Sequence, residues 1–250
     1  MKKAIIEASF GTSHIDALEN SVLALKRTFE ERFSDYEVFA ALTSKMVLSA
    51  LKKQGISFDT VDEMLVRLKE NGFDEVIIQP THIISGIEYE MLLASAEKFG
   101  GDFATVKVGA PLLDSKSDME KVSRIIAEKF PDETIVLMGH GTEHSANEAY
   151  AKFRNVCTEL ELDNIYTATV EAEPTIDDVI AELKLCGKKK VTVMPLMLVA
   201  GDHAKNDMAG EWRAKLEAAG FEVNCVIKGL GEYPEIREIY CEHINKAMKG

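Results

Sequence analysis

Three residues of types that hold borderline divalent cations stand just after three successive strand-like runs. His140 follows TIVLMG (Thr134–Gly139), Glu171 follows IYTATV (Ile165–Val170), and His203 lies just past KVTVMP (Lys190–Pro195), in LMLVAGDH. The separations, 31 residues from 140 to 171 and 32 from 171 to 203, are each about one βα unit. Ligands of open α/β folds bind outside the carboxyl ends of the strands. This spacing therefore brings the three side chains together without a local metal motif. Two neutral imidazoles and one carboxylate suit Co²⁺, Fe²⁺, Ni²⁺ or Zn²⁺. An imidazole also titrates near working pH, so His140 is the choice for a proton acceptor. Taken singly, each of the three fits a capping or hydrogen-bonding role beside a turn equally well.

The elements that must position them follow from periodicity. Strands are expected at Lys3–Ser9, Tyr36–Leu42, Glu75–Pro80, Ala104–Gly109, Thr134–Gly139, Ile165–Val170, Lys190–Pro195 and Glu222–Ile227. Runs of helical period, such as IDALENSVLALKRTFEERF and TVDEMLVRLKENG, lie between most of them. Near-continuous apolar strands alternating with helices predict mainly parallel sheet with helices on both faces. The pattern also repeats. TVDEMLVRLKENGFDEVIIQPTHIISG aligns without a gap with TIDDVIAELKLCGKKKVTVMPLMLVAG, 115 residues later (Thr60 to Thr175). SFGTSH (Ser9–His14) resembles GHGTEH (Gly139–His144) at an offset of 130, so the first half carries about 15 extra residues near MVLSALKKQGISFD. The chain thus reads as two pseudo-repeated α/β lobes of four strands each, residues 1–120 and 121–250, with the metal-ligating set in the second.

The repeat makes the two edges unlike. His203 maps onto Glu88, and His140 onto Phe10. A carboxylate and an aromatic ring in one lobe answer two imidazoles in the other, an asymmetry suited to a flat ligand held in a cleft. Glu88 is a second catalytic candidate, or else a solvated helix residue. His82, in QPTHIISG, either lines the cleft or fixes its loop, and His14 and His144 either meet ligand carboxylates or cap helices. SFGTSH and GHGTEHS lack the G-x-x-x-x-G-K-[ST] and G-x-G-x-x-G patterns, which argues against a nucleotide. Their backbone N–H groups and the hydroxyls of Ser9, Thr12, Ser13, Thr142 and Ser145 could instead hold ligand carboxylates at helix N-termini. Lys45, Lys205 and Arg213 are local cations or plain surface.

Composition removes other classes. The formal charge of −13 disfavours nucleic acid and anionic membranes as partners. The opening MKKAIIEASFGTS is broken by Glu7 too early for a signal peptide, and no apolar run is of spanning length, so a cytoplasmic protein is expected. The four cysteines form no C-x-x-C pair and no zinc-finger spacing; reduced, mostly packed thiols are expected, and no iron–sulfur cluster.

Five segments carry a family likeness over essentially the whole chain: ASFGTS, IIQPTHIISGIEYE, LMGHGTEHSAN, ATVEAEPTIDDVI and MPLMLVAGDHAKNDMAG. The sequence resembles the anaerobic, CbiK-type cobalt chelatases of cobalamin biosynthesis. The resemblance implies the class II chelatase fold shared with protoporphyrin ferrochelatases. It also implies ATP-independent insertion of Co²⁺, as substrate ion, into sirohydrochlorin or precorrin-2. The family's metal-binding His of G-H-G-T falls on His140, its Glu of V-E-G-x-P on Glu171, its His of G-D-H-A on His203, and its cleft Glu of G-x-E-Y on Glu88. One departure is Ala172, in VEAEP, where the family pattern has Gly; Glu173 stands close by as an alternative carboxylate. The same machinery suits a sirohydrochlorin ferrochelatase, a nickel chelatase, or a non-catalytic tetrapyrrole or metal carrier. A homo-oligomer is expected from the family's habit.

Overall fold

Every strand among the described residues pairs parallel with its neighbours, and the central strands are buried along most of their length, the edge strands Thr105–Val108 and Glu222–Cys225 only partly. The structure, a computed structural model, describes residues 1–249. The first unit begins β1 (Lys2–Ser9), α1 (Ile15–Ala17), a π-helical turn (Leu18–Val22), α2 (Leu23–Arg32), β2 (Glu37–Leu42) and α3 (Lys45–Lys53). It continues through α4 (Val61–Glu70), β3 (Phe73–Pro80), α5 (Ile87–Phe99) and β4 (Thr105–Val108). The second unit contains α6 (Lys116–Lys129), β5 (Ile135–Gly139), α7 (Glu148–Glu159), β6 (Ile165–Thr169) and α8 (Ile176–Leu185). It ends with β7 (Lys190–Pro195), a π-helix (His203–Trp212), α9 (Arg213–Ala218) and β8 (Glu222–Cys225). Last comes α10 (Pro234–Lys249).

The strand orders are β2-β1-β3-β4 and β6-β5-β7-β8, both parallel throughout. In the first sheet Ile5 pairs with Val38 on one side and Ile77 on the other. In the second, Val136 pairs with Tyr166 and Val193. Helices cover both faces, so strands such as IVLMG are buried at every position. Ile6, Ala41, Leu65, Val76 and Phe99 belong to one apolar core, and Met138, Tyr166, Val179, Val193 and Trp212 to another.

The internal repeat read from the sequence is physical. The offset of 115 carries α4 onto α8, both ten residues long, and the end of β3 at Pro80 onto the end of β7 at Pro195. Both helices open with a capping box: Thr60 and Glu63 in one, Thr175 and Asp178 in the other, each side chain receiving the partner's backbone N–H. Both then turn into the next strand through a glycine in the left-handed region, Gly72 at φ +71° and Gly187 at φ +65°. The extra residues of the first half form α3, whose place in the second half is taken by the short link from β6 to α8.

The partition differs from a cut at 120/121. The first unit is Met1–Leu112 together with the C-terminal segment from Gly231, and the second is Leu113–Leu230. The C-terminal helix accounts for the difference. α10 buries Ile236, Ile239, Tyr240 and Ile244 in the first unit. Tyr240 donates its hydroxyl to Thr81 O at 2.9 Å, His243 Nδ1 lies 2.9 Å from Ala110 O, and Arg32 pairs with Glu238 at 3.0 Å. Amphipathic period announces an apolar face but not the sheet that receives it. All four cysteines are free, yet Cys186 is exposed where a packed thiol was expected, because it caps the C-terminus of α8. No helix among the described residues is long and apolar enough to cross a membrane.

Glu7, which interrupts the first apolar run, lies in the middle of β1 and is fully buried. Burial pushes its carboxyl up to about 8, against the partial opposing effect of Thr81, whose hydroxyl donates to Oε1 at 2.9 Å. The folded protein thus holds a proton that the unfolded chain releases above about 4.5. Stability from this group is complete below that value and is lost as pH rises towards 8. Urea unfolding of wild type and Glu7→Gln between pH 5 and pH 8 should show the wild type losing a few kcal/mol relative to the variant. A pH-independent difference would return Glu7 to an ordinary carboxyl.

Candidate functional site

The turn after β5 is held by two glycines with different duties. At Gly139 a Cβ would lie 2.3 Å from the Tyr150 ring, so only hydrogen lets α7 pack there. Gly141 has φ +85°, and a Cβ would come within 2.9 Å of Ala172 N and of the Thr169 side chain. Between them, His140 O accepts the N–H of Val170 at 3.1 Å and of Glu171 at 2.9 Å. The backbone of His140 therefore holds the next strand's turn directly. Asn147 ties the same two turns from outside, its Oδ1 receiving Thr142 N at 3.1 Å and its Nδ2 donating to Glu173 O at 2.7 Å. Thr169 Oγ1 receives Ala172 N at 3.2 Å and closes the Glu171 turn. Ala172, where the resemblance leads one to expect Gly, is accommodated by this bonding.

His203 arrives from the third strand. After β7 the chain crosses Leu196–Gly201, pinned by Leu196 N donating to Met138 O and Leu230 N donating to Met197 O, each at 2.8 Å. His203 then opens the π-helix, where the sequence suggested a loop. The result is close contact. The rings of His140 and His203 meet edge to face, with centroids 4.7 Å apart and planes at 86°. Glu171 Oε2 stands 3.6 Å from His140 Nδ1. These side chains are 46% (His140), 56% (Glu171) and 37% (His203) exposed. Among the described residues, no three His, Cys, Asp or Glu groups stand placed to hold a metal ion together, so the trio would have to close around one. The sequence reading missed two partners. Asn147 joins the turns, and Asp207 Oδ2 lies 2.6 Å from His203 Nδ1. The latter has a visible signal, an H-x-x-x-D spacing that places both residues on one helical face.

The candidates of the first unit fall into two groups. Phe10 is exposed at the end of β1, and Ser13 is partly so. Ser9 and Thr12 are buried. Thr12 Oγ1 receives His14 N at 3.2 Å, and Thr142 Oγ1 receives His144 N at 3.1 Å, so both hydroxyls brace their own turns in equivalent ways. Both ring nitrogens of His82 are buried without a protein partner, and burial lowers its pKa to about 4, which keeps it neutral. Its carbonyl receives Leu112 N at 2.9 Å. Glu88 sits in the first turn of α5, where the helix dipole favours a carboxylate, with Oε2 buried and lacking a protein partner.

The chain is 36% identical to a sirohydrochlorin cobaltochelatase of Salmonella typhimurium, over 99% of this chain and 97% of that one. It is 33% identical to the sirohydrochlorin cobaltochelatase CbiKC of Nitratidesulfovibrio vulgaris, over 99% and 91%. The fold matches the sirohydrochlorin chelatase SirB from Bacillus subtilis in complex with cobalt, with a TM-score of 0.69 at 12% identity, covering 100% of this chain and 96% of that one. SirB with Fe³⁺ matches with a TM-score of 0.68 at 15% identity, covering 99% and 96%. The cobalt chelatase (CbiK) pattern itself spans residues 3–249, and the chain belongs to that family.

Proposed function

We propose that this protein inserts Co²⁺ into sirohydrochlorin, exchanging two pyrrole N–H protons for the ion without ATP. The observation that carries the reading is the ring contact of His140 and His203 with Glu171 3.6 Å from the first of them, at three strand ends of one sheet. Family membership narrows the ion and the macrocycle, since both curated relatives are sirohydrochlorin cobaltochelatases. In this reading Co²⁺ sheds water onto His203 and Glu171, with His140 beside them. His140 then takes a pyrrole proton as the ion passes to the ring nitrogens. One imidazole cannot be ligand and base at the same instant, so its roles are sequential. Glu88, with its unpartnered buried Oε2, is the candidate for the second proton. Phe10, Ser13 and neutral His82 remain candidates for contact with the macrocycle. Thr12 and Thr142 accept backbone N–H groups and keep their O–H free to donate, and Ser9 Oγ has no protein partner, so all three remain candidates as well. A cytoplasmic, self-associating enzyme belongs to this reading on the family's habit alone; the net charge of −13 repels a polyanionic macrocycle, which must meet local donors.

Three measurements bear on this. His140→Ala should fold normally by circular dichroism and lose insertion by about 10²-fold or more, the usual contribution of a positioned acid–base group. Near-normal rates in the folded variant would remove His140 from the chemistry. Glu171→Gln should raise the Co²⁺ dissociation constant by about tenfold or more; an unchanged titration would transfer the role to Glu173. With sirohydrochlorin and Co²⁺ in excess, the absorbance change should continue well past one equivalent of protein, whereas a halt at one equivalent would mark a carrier.

A further inference from the structure

Asp207 has no part in the roles assigned above, yet it makes a closer polar contact with the His203 ring than Gly141 O or Glu171 makes with that of His140. Its Oδ2 lies 2.6 Å from His203 Nδ1. A carboxylate only accepts, so at this distance Nδ1 carries the proton and Nε2 carries the lone pair. A neutral histidine in water prefers the other arrangement, with the proton on Nε2. His140 is fixed in the same sense: its Nδ1 is 3.0 Å from Gly141 O, a carbonyl that can only accept. In the neutral rings both Nε2 atoms are then left with the lone pair, while Glu171 Oε2 stands 3.6 Å from Nδ1 of His140.

The helix that carries Asp207 serves the same end. His203–Trp212 is π-helical over ten residues, and its buried residues Ala204, Met208 and Trp212 follow an unbroken spacing of four. Leu216 of α9 extends that stripe. An α-helix at 3.6 residues per turn would alternate threes and fours. The adjoining stripe, one residue earlier, is His203 and Asp207, each a little over one-third exposed. Burial of one stripe thus locks the register of the other. Extended π-helical geometry is rare and concentrates at functional sites.

We propose that Asp207 is a positioning residue: it holds His203 in the Nδ1–H tautomer and aims Nε2 at the incoming divalent cation. The proposal rests on His203 being a metal-holding residue. Co²⁺ is titrated into wild type, Asp207→Ala and Asp207→Asn, following the visible d–d absorption of Co(II), with circular dichroism confirming the fold. Asp207→Ala should bind about 10- to 100-fold more weakly, the usual cost of losing a group that orients a ligating histidine. Asp207→Asn keeps an oxygen acceptor for the same N–H and should bind several-fold more tightly than the alanine variant. In steady state the KM for Co²⁺ should rise while that for the tetrapyrrole stays put. Wild-type affinity in folded Asp207→Ala overturns the proposal. So does an asparagine variant as weak as the alanine one, since that would make the carboxylate itself a ligand. Wild type that titrates with Co²⁺ but never inserts it, beside a weakened Asp207→Ala, would sink the chelatase reading and sustain the positioning role.

Discussion

The turns after β5 and β6 lie so close together that position 141 has room for a hydrogen atom and nothing larger. A Cβ there would sit 2.9 Å from Ala172 N, and φ is +85°. With the N–H groups of Val170 and Glu171 both donating to His140 O, the two turns are one hydrogen-bonded object. The placement of Glu171 beside His140 is therefore a backbone property. Side-chain torsions set only the last ångströms, which leaves both side chains free to be half exposed without losing each other. The equivalent Gly11 has the same φ of +85°, but its Cβ would meet the side chains of Leu42 and Val47. The same turn in the first unit is thus packed against apolar side chains.

The two units share a chassis and differ at their edges. Capping boxes, left-handed glycines and strand orders recur because each solves a local problem that any βα unit faces. The residues past the strand ends answer no such demand and are free to diverge. In the second unit those positions hold His140, Glu171 and His203, all partly exposed. In the first unit the exposed Phe10 stands where His140 stands in the second, and Glu88 stands where His203 does. A duplicated fold can in this way give one copy two imidazoles and the other an aromatic ring and a carboxylate, at little cost to either core.

Much of this was legible in the sequence, for reasons that also explain what was not. Strand ends were readable to within a residue or two, because parallel strands buried on both faces are bounded by glycine, proline or charge, as at Gly139 and Pro195. Offsets of 115 and 130 survived because they rest on turn and cap residues, whose backbone demands tolerate few substitutes. The destination of α10 was not readable, since its partners Thr81 and Ala110 lie about 130 residues or more away in sequence. Thr12 and Thr142 were read as donors to a ligand, and spacing alone does not reveal that each hydroxyl oxygen also accepts an N–H from two residues on. Glu7 read as a polar break in an apolar run. Nothing local shows that Thr81 waits to donate to it inside the sheet.

A chelatase works under a constraint that an ordinary metalloprotein does not share, because its ion must leave. Closed sites of fixed geometry hold divalent ions far too well for transfer. Here the proposed coordinating groups are partly exposed, and each could be rehydrated as the ion departs. Openness has its own hazard, since a solvent-washed imidazole samples both tautomers and several rotamers and would meet the ion with the wrong atom part of the time. The carbonyl at Gly141 and the carboxylate at Asp207 remove that hazard from the Nδ1 side, where they do not add to the grip on the ion itself. Orientation and affinity are thereby set by different groups. A site can then be well aimed and weakly binding at once, the combination that handing an ion to a macrocycle requires.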